Sequence, residues 1–459
     1  MNLRSHPSLR EALRFWWKLG WISFGGTAAH LAIMHSELVE KRRWIDPEEF
    51  FHGLSHCMLL PGPEAQQLAI YIGWKLHGKT GGFLAGALFV LPSTAILLGL
   101  SVLYARYGAV WGVSLLFRLL KPIVVALVVR ALFQIGRRAL RSRLQWFAAI
   151  AAFLGLSLLH IPLPWMMGAI VAIGILPGFL RIMRELVRTS SGDRKAAHPS
   201  AAMPWRILRI VGACAAIGGL PLLLLWIFGR DFPFWIGLSA FFTRTAFVTI
   251  GGSYTVIPYV AQVAVMKFSW LSHAQMLDGF ALAETTPGPL IIVVGFVGFM
   301  AGLHHFHGSI LMGTVALLVT VFYTFLPCFL FIFIGAPWIA KSGESDVAQS
   351  VLKLIPAAVV AAILQLTVFL ARGVLFPAGW LRPNLGAAVS ILCVLLLLHL
   401  NSRRISRKSG IDANSARRTA SQPRMRMTST SRHGSADPPI SSRVPLDQDQ
   451  RPTGLESVD

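Results

Sequence analysis

Hydrophobic positions fall in long unbroken runs along this chain, not in the one-face stripes of a soluble protein. Gly81–Tyr104, Trp146–Ile161, Leu208–Phe228, Ser309–Ile334 and Leu385–Leu400 carry almost no charge. A bilayer core takes about 20 helical residues, so each run predicts a membrane-spanning helix. Composition agrees. Of the 459 residues, 54% are hydrophobic and only 14% charged, against about 25% charged in soluble domains. The expected class is an all-α polytopic membrane protein.

Two stretches break the pattern. "LLPGPEAQQLAIYIGWKLHG", beginning at Leu59, puts two prolines, a glycine and three polar residues inside an apolar run. "AETTPGPLIIVV" does the same around Pro287. The two are copies. Shifting the chain by 226 positions lays Gly25-Gly26 on Gly251-Gly252, Lys41 on Lys267, Trp44 on Trp270, Gly53 on Gly279 and Pro61-Gly62-Pro63 on Pro287-Gly288-Pro289. Phe15 meets Phe241 and Lys18 meets Arg244 in the same register. Beyond the Pro-Gly-Pro the register drifts, although "LLKPIVVALV" near Lys121 still echoes "LKLIPAAVVA" near Lys353.

The chain therefore reads as a first repeat over 10–140, linking transmembrane segments with a basic loop over 141–235, and a second repeat with a last transmembrane helix over 236–400. The tail over 401–459 is rich in Arg, Ser, Asp and Pro and has too little apolar surface to fold, which predicts disorder. Basic clusters at Arg137–Arg143, Arg181–Arg209 and Arg403 onward lie between apolar runs, the positive-inside signature of cytoplasmic loops. With an outward-and-back hairpin turning at Pro162 and Pro164, the second repeat starts on the opposite face from the first. That is an inverted-topology repeat with broken or re-entrant helices, a device of secondary transporters.

The net charge of +22 belongs to these loops, where it meets anionic lipid headgroups. That placement argues against a nucleic-acid partner. Cys57, Cys214, Cys328 and Cys393 lie far apart in apolar segments, with neither metal-ligand nor disulfide spacing; each reads as a small core residue. No HExxH, Walker or GxSxG motif occurs. The sequence gives no sign of an enzyme, a cofactor or a metal.

The candidate chemistry sits at the breaks. Glycine and proline together split a helix, and freed backbone groups survive in a membrane only within protein or beside a water-filled cavity. A half-helix starting after Pro63, itself suited to a first helical position, turns its N–H groups and positive dipole end toward an anion. The predicted substrate-binding set is Lys18, Gly25, Gly26, Pro61, Gly62, Pro63, Gln66 and Gln67 in the first repeat. In the second it is Arg244, Gly251, Gly252, Thr285, Thr286, Pro287, Gly288 and Pro289. Lys18 and Arg244 fit equally an interface anchor whose charge reaches up to the headgroups. Acids inside a membrane segment point to proton or ion coupling, which nominates Glu64 and Glu284; Asp278 reads equally as an acid at a wet helix end. The histidines His304, His305 and His307 read as a solvated loop.

The stretches "SFGGTAAHLAIMHSELVEKRRWID", "CMLLPGPEAQQLAIYIGWKLHG" and "MLDGFALAETTPGPLIIVVGFVGFMAG" closely resemble the chromate ion transporter family in its long-chain, two-domain form, over roughly residues 10–400. The resemblance implies multi-pass residence in a bacterial inner membrane and efflux of chromate driven by a proton or ion gradient, conferring chromate resistance. Sulfate is the related oxyanion, membrane lipid the surrounding partner, and a homo-oligomer a candidate assembly. By matching position it carries over Gly25, Gly26, Pro61, Gly62, Pro63 and Gln67, and Gly251, Gly252, Glu284, Thr285, Thr286, Pro287, Gly288 and Pro289. Thr27 and Gly295 depart from the family, which often has proline and glutamine there.

Overall fold

A computed structural model describes residues 7–23, 26–159, 161–162, 165–170, 172–173, 202–229, 231–248, 253–339, 346–376, 384–398 and 400. These residues form helices and connections, with no strand among them. The tail over 401–459 and most of the basic loop lie outside the described residues. The helices are α1 (Leu9–Ile22), α2 (Gly26–Met34), α3 (Pro47–Cys57), α4 (Glu64–Tyr107), α5 (Trp111–Ala139), α6 (Arg143–Ser157) and α7 (Ala202–Phe228). They continue as α8 (Phe232–Val248), α9 (Ser253–Gln262), α10 (His273–Thr285), α11 (Val293–His305), α12 (Ile310–Ile339), α13 (Asp346–Leu375) and α14 (Leu385–Leu398). Stretches within α4, α5, α7, α12 and α13 are long and apolar enough to cross a membrane.

Local chemistry sets the helix starts. Ser8 Oγ accepts from the Glu11 N–H, and Asp46 accepts from the Glu48 N–H with Pro47 in the first turn. Ser272 and Gln275 form a reciprocal capping box on α10, which satisfies donors that a helix start leaves unpaired. α1 buries Ala12, Phe15, Trp16, Leu19 and Gly20, while Trp17, Lys18 and Trp21 stay exposed. α7 is exposed over nearly its whole apolar length, the surface expected of a helix against lipid.

α4 is too long to be one span, since 44 residues at about 1.5 Å each exceed a roughly 30 Å bilayer core twofold. It folds at His77 and Gly78, where Gly78 takes φ 65° and ψ −155°. The arms 64–76 and 79–107 then pack side by side: Gly73 has no room for a Cβ against Gly81 and Ala85, and Gly86 none against Ile70. The run beginning at Gly81 is thus the long arm of a hairpin. Along that arm Gly82 abuts Phe333 and Gly86 abuts Phe329, while Leu97 abuts Gly295, which in turn meets Leu317 and Val321. The arm and α12 therefore run antiparallel.

Equivalent local geometry recurs at the 226-residue spacing. Phe15 and Trp44 meet edge-to-face at 5.7 Å and 78°, and Phe241 and Trp270 at 5.5 Å and 79°. The Trp44 N–H donates to Leu38 O at 2.8 Å, and the Trp270 N–H to Ala264 O at 2.9 Å. Arg43 and Ser269 share a left-handed φ, 53° and 50°, as do Gly62 and Gly288 at 123° and 106°. Short π-helical segments, His35–Lys41 and Val263–Lys267, follow α2 and α9.

Candidate functional site

Each Pro-Gly-Pro is the tip of a helical hairpin. In the first, α3 descends and the arm 64–76 returns: Glu49 pairs with Lys75 at 2.6 Å at the open end, and Gly53 packs on the Tyr71 ring. About 13 residues separate that open end from the tip, roughly 20 Å of helix, longer than half of a roughly 30 Å bilayer core. In the second, α10 and α11 do the same: Gly279 packs on the Phe296 ring, and the His304 Nδ1–H donates to Trp270 O at 2.8 Å. The antiparallel course of the long α4 arm and α12 puts the two open ends at opposite ends of the helix stack. The two hairpins thus enter the helix stack from opposite ends.

The tips meet the other half of the chain. Gly62 lies against Cys328 of α12, and Gly288 against Ser93 of α4; a Cβ on either glycine would come within 3 Å of its neighbour. The Gly288 N–H donates to the Ser23 carbonyl at 2.7 Å. Ser23 closes α1, so the end of α1 and the second tip share a hydrogen bond. His30, buried on α2, donates from Nε2 to the same carbonyl at 2.9 Å. These neighbours were hidden in sequence. Their signal lies in "LPS" at 91–93 and "LPC" at 326–328, a recurrence displaced by the drift of register.

Around the first tip, polar atoms are buried without protein partners. Gln67 Nε2 donates to Pro61 O at 2.5 Å and closes the tip, while Gln67 Oε1, Gln66 Oε1, Glu64 Oε2 and Tyr71 OH have none. Gln66 and Gln67 are 1% and 0% exposed. Burying an unmatched polar group costs about 1–3 kcal/mol, so four within two helical turns mark a place built for something other than packing. A carboxamide that turns over presents an N–H donor in place of its oxygen. Pro63 is the N-cap, one position before the first helical residue, and the Glu64 carboxylate folds back on its own backbone N–H.

The other predicted residues are distributed as follows. Thr285 and Thr286 bond back to Leu282 O and Ala283 O at 2.8 Å, and Pro287, Gly288 and Pro289 are buried. Glu284 is partly buried at the end of α10. Gly26 opens α2, whereas Gly25, Gly251 and Gly252 lie outside the described residues. Lys18 and Arg244 are exposed on α1 and α8, away from the packed core.

Three sequence expectations change. Asp278 is not at a wet helix end: it is 6% exposed, paired with Lys121 Nζ at 3.0 Å, and accepts from Tyr104 OH at 3.0 Å. The trio joins α4 and α5 to α10. His304 and His305 belong to the last turn of α11, where His305 pairs with Asp231 at 2.6 Å and stacks on Phe234 at 4.2 Å. Cys57 and Cys328 are core residues, but Cys214 is only partly buried and Cys393 is exposed.

The sequence profile of the family described as Chromate transporter matches residues 10–175 and 236–406. The chain belongs to the chromate transporter family. This member is 28% identical over 366 residues to a chromate transport protein of Cupriavidus metallidurans, covering 80% of this chain and 83% of that one. It is 32% identical over 322 residues to a chromate transport protein of Pseudomonas aeruginosa, covering 68% and 69%. An uncharacterised transporter of Bacillus subtilis matches at 29% over 165 residues, only 35% of this chain but 82% of its own length. No solved structure matches. Among the described residues no group of three or more His, Cys, Asp or Glu side chains is placed to hold a metal.

Proposed function

We propose that this chain is a secondary active transporter that exports chromate from the bacterial cytoplasm across the inner membrane. In this reading 10–140 and 236–400 are inverted-topology repeats, 141–235 links them, and the basic loops and the tail over 401–459 face the cytoplasm. The half-length Bacillus relative supports a unit of about that size. The observation that carries the site is the concentration of unmatched buried polar atoms at Glu64, Gln66 and Gln67, on a tip pressed against the other half.

A tetrahedral dianion needs donors and positive potential in a space shielded from water. The start of α4 supplies the dipole end, and the Gln66 and Gln67 amides supply hydrogen bonds that a four-oxygen anion accepts. Gly25, Gly26, Gly251 and Gly252 belong to the proposed site by their place in the sequence, and Thr285 and Thr286 flank the second tip. Lys18 and Arg244, being exposed, act at range by raising the positive potential along the approach. Glu64 and Glu284, one beside each tip, take up and release the coupling proton. Alternating access follows from rocking one hairpin pair against the other about the Gly288–Ser23 contact.

The test is uptake of labelled chromate into inverted vesicles containing the protein, with and without an imposed proton gradient, and with sulfate as competitor. Gradient-dependent chromate uptake supports the reading. Uptake of sulfate alone reassigns the substrate, and turnover without accumulation reassigns the class.

A further inference from the structure

A cavity of about 1160 Å³ lies between the long arm of α4, α7 and α12. Its wall is almost wholly apolar, with Phe and Leu of α12 facing small and aliphatic residues of α4 and α7; Gln66 and Thr94 are the polar exceptions in its interior. Two cations line it, Lys79 and Arg209, together with Trp205. Neither cation is paired with an acid among the described residues, and all three side chains are exposed.

The cations belong to one end. Lys79 starts the long arm, whose Gly82 abuts Phe333. On α7, Gly218 abuts Leu326, while Tyr323 reaches the backbone of Gly218 and Leu222. Moving back along α12 from Leu326 to Tyr323 thus moves forward along α7, so these helices are antiparallel. Arg209 lies nine residues before Gly218, about 13 Å toward the Phe333 end. That is the Lys79 end, marked by the hairpin turn at Gly78 and by the exposed Trp205, as expected at headgroup level.

We infer that this groove is a binding site for one anionic phospholipid, its phosphate held between Lys79 and Arg209 and an acyl chain lying along α4 toward Thr94. The length fits: 15 residues from Lys79 to Thr94 span about 22 Å, more than the roughly 15 Å of one leaflet. The charge fits, since basic pockets between membrane helices hold anionic headgroups. A chromate-sized dianion does not fit this wall. Beyond Lys79 and Arg209 at one end, it would leave its hydration shell and find along the apolar length only the Gln66 amide and the Thr94 hydroxyl.

The experiment uses the full-length protein, purified in detergent and stripped of lipid. Added phosphatidylglycerol should raise its melting temperature by roughly 5 °C, with phosphatidylcholine and inorganic phosphate giving little. The double variant Lys79→Gln/Arg209→Gln should lose that response. Native mass spectrometry should show one retained phosphatidylglycerol on the wild type and none on a groove-filling Ala213→Trp variant. Equal shifts from both lipids, a full response in the double variant, or protection by phosphate or chromate alone would each overturn the assignment. So would a concentration-dependent dimer abolished by Ala213→Trp, which would make the groove a contact between copies.

Discussion

The amide of Gly288 and the carbonyl of Ser23 are 265 positions apart and share a 2.7 Å hydrogen bond. That bond ties the second hairpin tip to the end of α1. It exists because Gly288 holds φ 106° and carries no side chain, which lets the tip settle on Ser93.

Gly288→Ala should therefore strain the tip twice, through the backbone and through a Cβ that would lie 2.5 Å from Ser93 Cβ. The backbone share alone is about 1–3 kcal/mol. The expected result is a lower melting temperature and loss of most chromate transport. Adding Ser93→Gly should recover part of the stability, because it removes the collision and leaves the φ penalty. Full recovery would mean the left-handed backbone costs nothing there.

Asp278→Asn leaves the Lys121 ammonium half-enclosed without its counter-charge, and breaking a buried pair costs about 3–5 kcal/mol. Protein recovered from membranes should fall sharply. Lys121→Met combined with Asp278→Asn should restore much of it, since both charges then vanish together. A double variant as unstable as the single one would show that the pair is not the cause.

Lys18→Ala and Arg244→Ala touch exposed side chains and should change stability by no more than about 0.5 kcal/mol. Cellular chromate exclusion should nonetheless drop, and more steeply at low ionic strength, where a long-range field is less screened. Measured accumulation matching the wild type in both variants would reduce the two cations to interface anchors.

The sequence made the helices and the two tips legible because both rest on local chemistry. Apolar runs have only one stable form in lipid, and Pro-Gly-Pro breaks a helix wherever it falls. The 226-residue spacing was readable for the same reason: Trp44 and Trp270, or Gly62 and Gly288, are residues that chance seldom aligns. What the tips rest on was not readable. Ser93 and Cys328 are ordinary residues whose role comes from the antiparallel course of two helices more than 200 positions apart. The Asp278–Lys121 pair was missed because α5 brings its cation from far along the chain, so a lone acid near a helix start looked wet. His305 is exposed, as the sequence suggested, but nothing local announces Asp231 as its partner.

Gln66→Leu tests the central claim, that chromate is bound at the first tip, most directly. Gln66 Oε1 is buried without a partner, so replacing the amide with an apolar group of similar size removes an unmatched group and should leave stability unchanged or slightly raised. Wild-type protein and Gln66→Leu would be reconstituted into proteoliposomes, with melting temperature and labelled chromate uptake measured on the same preparations. The account predicts an unchanged or higher melting temperature together with at least a tenfold loss of uptake, a loss of about 1.4 kcal/mol or more in anion stabilisation. Wild-type uptake by a folded Gln66→Leu protein would contradict it.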